Sequence, residues 1–283
     1  INDKKKFFLI SEFSKVRKLI NQKKIKKKQI INPNKFETFL SKRKKGKIIV
    51  DNQSCSIFNE NLIKKKLIIL RKEDPIYNLK SIKNKSEISN TIKAHISDGV
   101  ALTKFLHWIK KVNKRKITEY DAQNKLEYFR KKNKNYFYPS FNTIAGAGKN
   151  GAIVHYRANK KSSKNIDRND IFLCDSGGQY KYGTTDVTRT ICFRNPNSRI
   201  KDIFTKVLKG HIAVLKTDLK INFCGKMIDQ RARKFLKNSR LDYGHGTGHG
   251  VGFFLNVHEG PQALSKSNDI RIKEGMILSN EPG

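Results

Sequence analysis

The texture of the chain changes at Phe141, and that change restricts the fold more than any other feature. Before it, apolar residues recur at helical spacing. Ile88, Ile92, His95, Ile96, Gly99, Leu102, Phe105, Leu106 and Ile109 follow an i, i+3, i+4 pattern. This predicts a buried helical stripe starting near Ser86, with Ser86 as its N-cap. Residues 118–131 predict a second amphipathic helix, capped by Thr118, with Leu126 and Phe129 on one face. After Phe141 glycines cluster. Residues 152–156, 171–175 and 186–193 read as strands, 200–215 and 227–238 as helices, and 252–257 and 276–279 as strands again. Helices grouped apart from hairpins predict an α+β fold rather than alternating βαβ units.

The first 80 residues differ. Short apolar runs alternate with Lys-rich stretches; 47–51 and 67–70 read as buried strands and 34–43 as a helix. A smaller α/β domain fits residues 1–80, with Asp74-Pro75 and the polar stretch to Ser86 as a connection, followed by an α+β domain over 81–283. The length of 283 residues accommodates both. No apolar run is long enough to cross a bilayer; residues 67–70 and 48–50 are typical of the longest.

A net charge of +37 points first to an anionic partner such as nucleic acid. The cations are 47 Lys against 14 Arg, and Arg is the residue suited to bidentate base and phosphate contacts. Abundant Lys with Asn and Ile reads better as compositional drift with a solvated Lys surface, the alternative being a basic patch at residues 4–6 or 23–28. Neither run has the interleaved aromatics of a single-strand platform, so no specific nucleic-acid partner is expected. Cys55, Cys174, Cys192 and Cys224 are scattered without a CxxC pair, which predicts free thiols and a cytoplasmic setting. The sequence starts at Ile1 with no signal pattern and ends on Asn280-Glu281-Pro282-Gly283, so both ends are expected to be cut from something longer.

The chemistry concentrates after the change in texture. Asp175 ends one predicted strand and Asp186 begins the next, with turn residues between them. Such a hairpin can set two carboxylates side by side, where they repel unless they share a proton or a cation. A pair of turn aspartates, or a salt bridge to Lys, is the plainer alternative. Then follows His245-Gly246-Thr247-Gly248-His249-Gly250-Val251-Gly252, and after it Asn256-Val257-His258-Glu259-Gly260-Pro261. His245 and His249 are four apart, but the glycines oppose a helix and the Glu of a zincin is missing. His155 lies within an apolar predicted strand, and Glu281 precedes Pro282-Gly283. Asp, Asp, His and Glu form an oxygen-rich ligand set suited to manganese, cobalt or zinc.

These motifs resemble those of the Xaa-Pro aminopeptidase (aminopeptidase P) family. The resemblance rests on Asp175-Ser176-Gly177-Gly178-Gln179-Tyr180, on the run from Gly183 to Thr190, on the His245 and His258 motifs, and on Asn280-Glu281-Pro282-Gly283. It extends upstream through residues 142–156 and Ala94-His95-Ile96, to Asp74-Pro75-Ile76. It implies a pita-bread catalytic domain holding two divalent ions, usually manganese; residues 1–80 resemble the family's partial, creatinase N-terminal-like middle domain by position and texture only. Asp175 and Asp186 would be ligands, Asp186 bridging both ions, and His249 and Glu281 would bind one of them. A further bridging Glu would lie beyond residue 283. His245 and His258 would line the substrate site, and His155 would contact substrate or pass a proton. The implied reaction releases the first residue from peptides with proline in second place, through a water bridging the two ions. A homodimer is implied as well. Prolidase and creatinase share the fold, and a pita-bread protein without catalysis is the alternative from another class.

Overall fold

In the computed structural model, residues 1–3, 6–112, 117–221 and 223–283 are described. The chain separates into two compact units, Ile1–Pro75 and Ile76–Gly283.

The first unit opens with an antiparallel pair, β1 (Asn2–Asp3) and β2 (Lys6–Phe7). Next, β3 (Leu9–Ile10) leads through α1 (Phe13–Asn21) to its parallel partner β4 (Ile30–Ile31). A 3-10 turn capped by Asn32 feeds α2 (Phe36–Ser41), where the sequence predicts a helix. Then β5 (Lys47–Val50) passes through α3 (Ile57–Lys64) to β6 (Ile68–Arg71), a parallel pair with a helical crossover. Phe36, Leu40, Val50 and Ile63 form the core, with Ile48 and Ile69 packed against it. The sequence predicts both strands as buried, but each is buried on one face only. Ile49, Ile68 and Leu70 are exposed, because side chains alternate across a strand and only one face meets the helices. Of the candidate basic patches, Lys4 and Lys5 lie outside the described residues. The lysines of residues 23–28 are exposed around a buried Ile25.

Next along the chain is α4 (Pro75–Ser81), a helix within the expected connection. Then comes α5 (Lys85–Lys111). Its N-cap is Asn84, not Ser86: Asn84 and Glu87 form a reciprocal capping box, satisfying two backbone donors at once. The stripe predicted as core splits in two. Leu102, Phe105 and Ile109 are buried, but Ile92 and Ile96 are 55% and 65% exposed, and Ile88 is exposed beside them. In that half the inward residues are Thr91, Ala94 and Asp98. Small and polar side chains face the unit because α5 packs closely there on β11.

The helix α6 (Glu119–Lys131) starts at Thr118 with its own capping box. Two sheets follow. One holds β7 (Tyr136–Pro139), β10 (Gly178–Tyr180) and β11 (Gly183–Thr184); the other holds β8 (Ile144–Ala147), β9 (Ile171–Ser176) and β12 (Val187–Cys192). The link between Asp175 and Asp186 is thus more than a turn. It crosses into the other sheet and back, because Gly178 to Thr184 find ladder partners there. Residues 152–156, predicted as a strand, form a turn after a 3-10 segment (Gly148–Ala152), with His155 at φ 57°. The core joins Phe105, Ile109, Leu126, Ala145, Ile166 and Phe172.

Further on, α7 (Ser198–Leu215) and α8 (Gly225–Lys237) pack together, and a short pair, β13 (Gly248–His249) and β14 (Ala263–Leu264), follows. Residues 252–257 form an irregular loop, not a strand, since Gly252 N–H bonds back to Asn256 O and turns the chain. Residues 276–279 make only isolated bridges, Met276 to Ile82 and Leu278 to Gly250. No helix among the described residues is long and apolar enough to cross a membrane.

Candidate metal centre and active site

The ladder between β9 and β12 places Asp175 opposite Thr188, whose Oγ1 donates to the Asp175 carboxylate at 2.7 Å. Asp186 sits one residue before β12. The backbone from Thr247 to Val251 runs beside residues 277–281: Ser279 N–H donates to His249 O at 2.8 Å, and Glu281 N–H to Thr247 O at 3.0 Å. This approach needs a glycine at 248, where a Cβ would stand 2.3 Å from Ser279 O.

Three of the expected ligands converge. Donor atoms of Asp186, His249 and Glu281 all lie within 4.8 Å of one another. His249 Nε2 is 3.1 Å from Asp186 Oδ2 and 3.0 Å from Glu281 Oε1. Asp175 stands outside that tight set yet feels the same charges. Burial first, then the neighbouring Asp186 carboxylate, push its pKa up to about 7, against the opposing bond from Thr188. Burial would lower the His249 pKa, but its hydrogen bonds to Asp186 and Glu281 outweigh this and push it up to about 10. Burial raises the Glu281 carboxyl pKa, and bonds to His249 and Ser279 more than reverse that, leaving it lowered.

The three groups make a candidate cation site. A protonated imidazole supplies the positive charge between two carboxylates that otherwise repel. His249 Nδ1 lies 2.9 Å from Gly250 O, so that nitrogen carries a proton and donates it, leaving Nε2 directed at the acids. Carboxylate oxygens with one imidazole fit a hard or borderline divalent ion.

The other candidates are spread around this centre. The His258 ring meets the His249 ring edge-on, centroids 4.1 Å apart; the residue is exposed overall, but partial desolvation of the ring and then the charge on His249 lower its pKa. His245 places Nδ1 2.6 Å from Gly246 O and Nε2 2.9 Å from Gly283 O. His155 is exposed in its turn, near enough that its charge helps lower the His258 pKa.

Several supporting residues escape a reading of the sequence. On α8, Asp229 and Arg233 form a buried pair, Nε to Oδ2 at 2.8 Å. Arg233 also donates to Tyr243 O and His245 O, and Thr247 donates to Asp229, so one helix holds three points of the histidine loop. Their i, i+4 spacing is a visible signal; their burial is not. Asp98 on α5 accepts two bonds from Arg130, at 2.7 and 2.9 Å, and one from Tyr180, while Arg130 reaches Ser176 beside Asp175. Buried Glu119 accepts from Ala147 N–H, Asn150, Tyr156 and Lys164 N–H, anchoring both ends of the His155 turn.

Residues 89–283 match the model of metallopeptidase family M24. A probable Xaa-Pro aminopeptidase P of Podospora anserina is 46% identical over 215 residues, covering 74% of this chain and 32% of that protein. Two solved structures are each 28% identical. The X-prolyl aminopeptidase of Caenorhabditis elegans, described as a cytosolic enzyme with a di-nuclear active site, superposes with a TM-score of 0.80, over 95% of this chain and 45% of that one. The prolidase of Pyrococcus furiosus gives 0.73, over 88% of this chain and 72% of that one. The chain thus spans about a third of the curated relative's length. The family match takes in the whole convergence of Asp186, His249 and Glu281, and the chain belongs to metallopeptidase family M24, with a pita-bread catalytic domain.

Proposed function

We propose that the full-length protein is an aminopeptidase that releases the first residue from peptides carrying proline in second place. The observation that carries this reading is the meeting of Asp186, His249 and Glu281, with Asp175 alongside, in a chain similar to proteins named Xaa-Pro aminopeptidase. Asp175, Asp186, His249 and Glu281 would hold two divalent ions, with manganese ahead of cobalt or zinc. When bound, such ions acidify water and polarise a carbonyl, which supplies a nucleophile at neutral pH.

The chain's own residues do the rest. The carboxylates would keep the free α-amino group of the substrate beside them, which limits cleavage to one residue. His258, with its lowered pKa, is neutral near pH 7 and can take up or pass a proton close to the scissile bond. His245 and His155 would line the approach, contacting substrate or shuttling protons. Proline forms a tertiary amide without an N–H, so a site that accepts it needs no acceptor there. A homodimer and a cytosolic setting complete the proposal; sedimentation velocity checks the first.

The deciding experiment incubates the manganese-loaded full-length protein with Arg-Pro-Pro at neutral pH. Release of free arginine is expected. Cleavage confined to Xaa-Pro dipeptides would instead support the prolidase reading, which the similarity to the P. furiosus enzyme keeps in view. No cleavage of either would overturn both.

A further inference from the structure

We infer that Lys83 is a positioning residue for His258, acting through the Glu259 carboxylate. The inference rests on the assignment of His258 to the site. Lys83 is the unusual residue: in a chain with 47 lysines on the whole solvated, its side chain is 1% exposed. Its Nζ lies 3.1 Å from Glu259 Oε1, and the Glu259 side chain is 3% exposed. Lys80, half-exposed on α4, reaches the other oxygen at 2.6 Å. Burying two such charges is costly and contributes little net stability against an apolar pair, so stability alone does not explain the arrangement.

The backbone shows what the pair holds. Val257 and Glu259 are buried while His258 between them is exposed. Glu259 is thus the inward anchor next in sequence to the outward histidine. Glu259 N–H also donates to Gly250 O at 2.8 Å, next to His249, whose ring meets that of His258. The segment carrying Lys83 braces a second part of the site. Lys83 N–H donates to Gly275 O at 2.8 Å, and Ile82 bridges Met276, at the start of the stretch that ends in Glu281. The contact requires glycine at 275, where φ is +87° and a Cβ would lie 2.9 Å from the Ile82 side chain. One short segment ahead of α5 thus ties down the chain behind His258 by an ion pair and the chain leading to Glu281 by backbone.

The test uses the manganese-loaded full-length protein and three variants: Lys83→Met, Glu259→Gln, and the two combined. Lys83→Met leaves Glu259 Oε1 without its partner, with only half-exposed Lys80 on the other oxygen, and Glu259→Gln leaves the Lys83 charge buried without a carboxylate; each should lower the melting temperature, and the double change, which removes both buried charges, should recover most of that loss. If the pair positions His258, the recovered double variant still has kcat lowered by about tenfold or more, with KM within about twofold and a displaced limb of the pH profile. A double variant with wild-type kcat and pH profile overturns the inference. Should the wild-type protein cleave no peptide, the proposed activity fails on its own account. The His258 imidazole NMR resonances of the metal-free protein then decide: displaced in the double variant, they support the brace; unmoved, they overturn it.

Discussion

The hairpin of β9 and β12 and the glycine–histidine segment deliver groups to the same centre by different means. In the hairpin, Asp175 is fixed by ladder register, opposite Thr188, and side chains contribute only a local bond. The glycine–histidine segment has little regular structure. Its histidines are held by hydrogen bonds to Ser279 and by buried ion pairs reaching in from α8 and from the segment before α5. Regular pairing positions a residue through backbone geometry shared by any sequence. An irregular loop must be positioned by particular side chains, and each of these is a point at which it can fail.

That contrast can be broken at graded cost. Asp186→Ala removes a carboxylate where the two regions meet, and should abolish manganese binding by calorimetry together with peptide turnover; unchanged turnover would refute the ligand assignment. Arg233→Met leaves Asp229 buried without its partner and releases two carbonyls of the histidine loop. It should cost about 3–5 kcal/mol in urea denaturation; a further Asp229→Leu change should remove only the share due to the unpaired carboxylate, since the freed carbonyls and the Thr247 hydroxyl stay without partners. The pH dependence of the metal-free protein separates the regions again. The folded His249 pKa, about 10, is above its unfolded value, so its contribution is full below pH 6.5 and is lost as pH rises toward 10. Asp175 is also raised, to about 7, so the folded state binds its proton more tightly, and stability falls as pH rises from about 4 to 7. The melting temperature should therefore decline with rising pH in two stages, hairpin before loop, and a His249→Gln variant should lose only the second. Thr188→Val removes one hydrogen bond to Asp175. It should cost about 1 kcal/mol and raise the Asp175 pKa further, readable by carboxyl NMR.

The same contrast explains what was legible in the sequence. Asp175 and Asp186 stand out because a strand, a turn signal and a strand are written locally. The helices α6, α7 and α8 were readable for the same reason. The ion pair of Lys83 with Glu259 joins residues 176 apart, and nothing local marks it. The exposed isoleucines of α5 mislead because periodicity identifies a stripe without saying which side the neighbours occupy. Thr91, Ala94 and Asp98 face inward since a close neighbour leaves room only for small side chains, or for a carboxylate that finds Arg130 and Tyr180. His155 failed as a strand residue because its conformation is set by Glu119, more than thirty residues earlier, not by its own apolar flanks. The +37 charge proved least informative, since the acids and histidines of the centre are carried by other stretches.

One feature of the hairpin bears on how such a chain can vary. Ten residues separate Asp175 from Asp186, and their middle is itself stitched into another sheet. The stretch works as a ruler with both ends nailed down. Removing a single residue from it would slip the register by one and turn one of the two carboxylates to the wrong face. Extra residues can be absorbed at the tip, around exposed Lys181, without moving either carboxylate. Length changes among related chains should therefore gather at that tip, and a graft or tag placed there offers access to the hairpin while leaving its spacing intact.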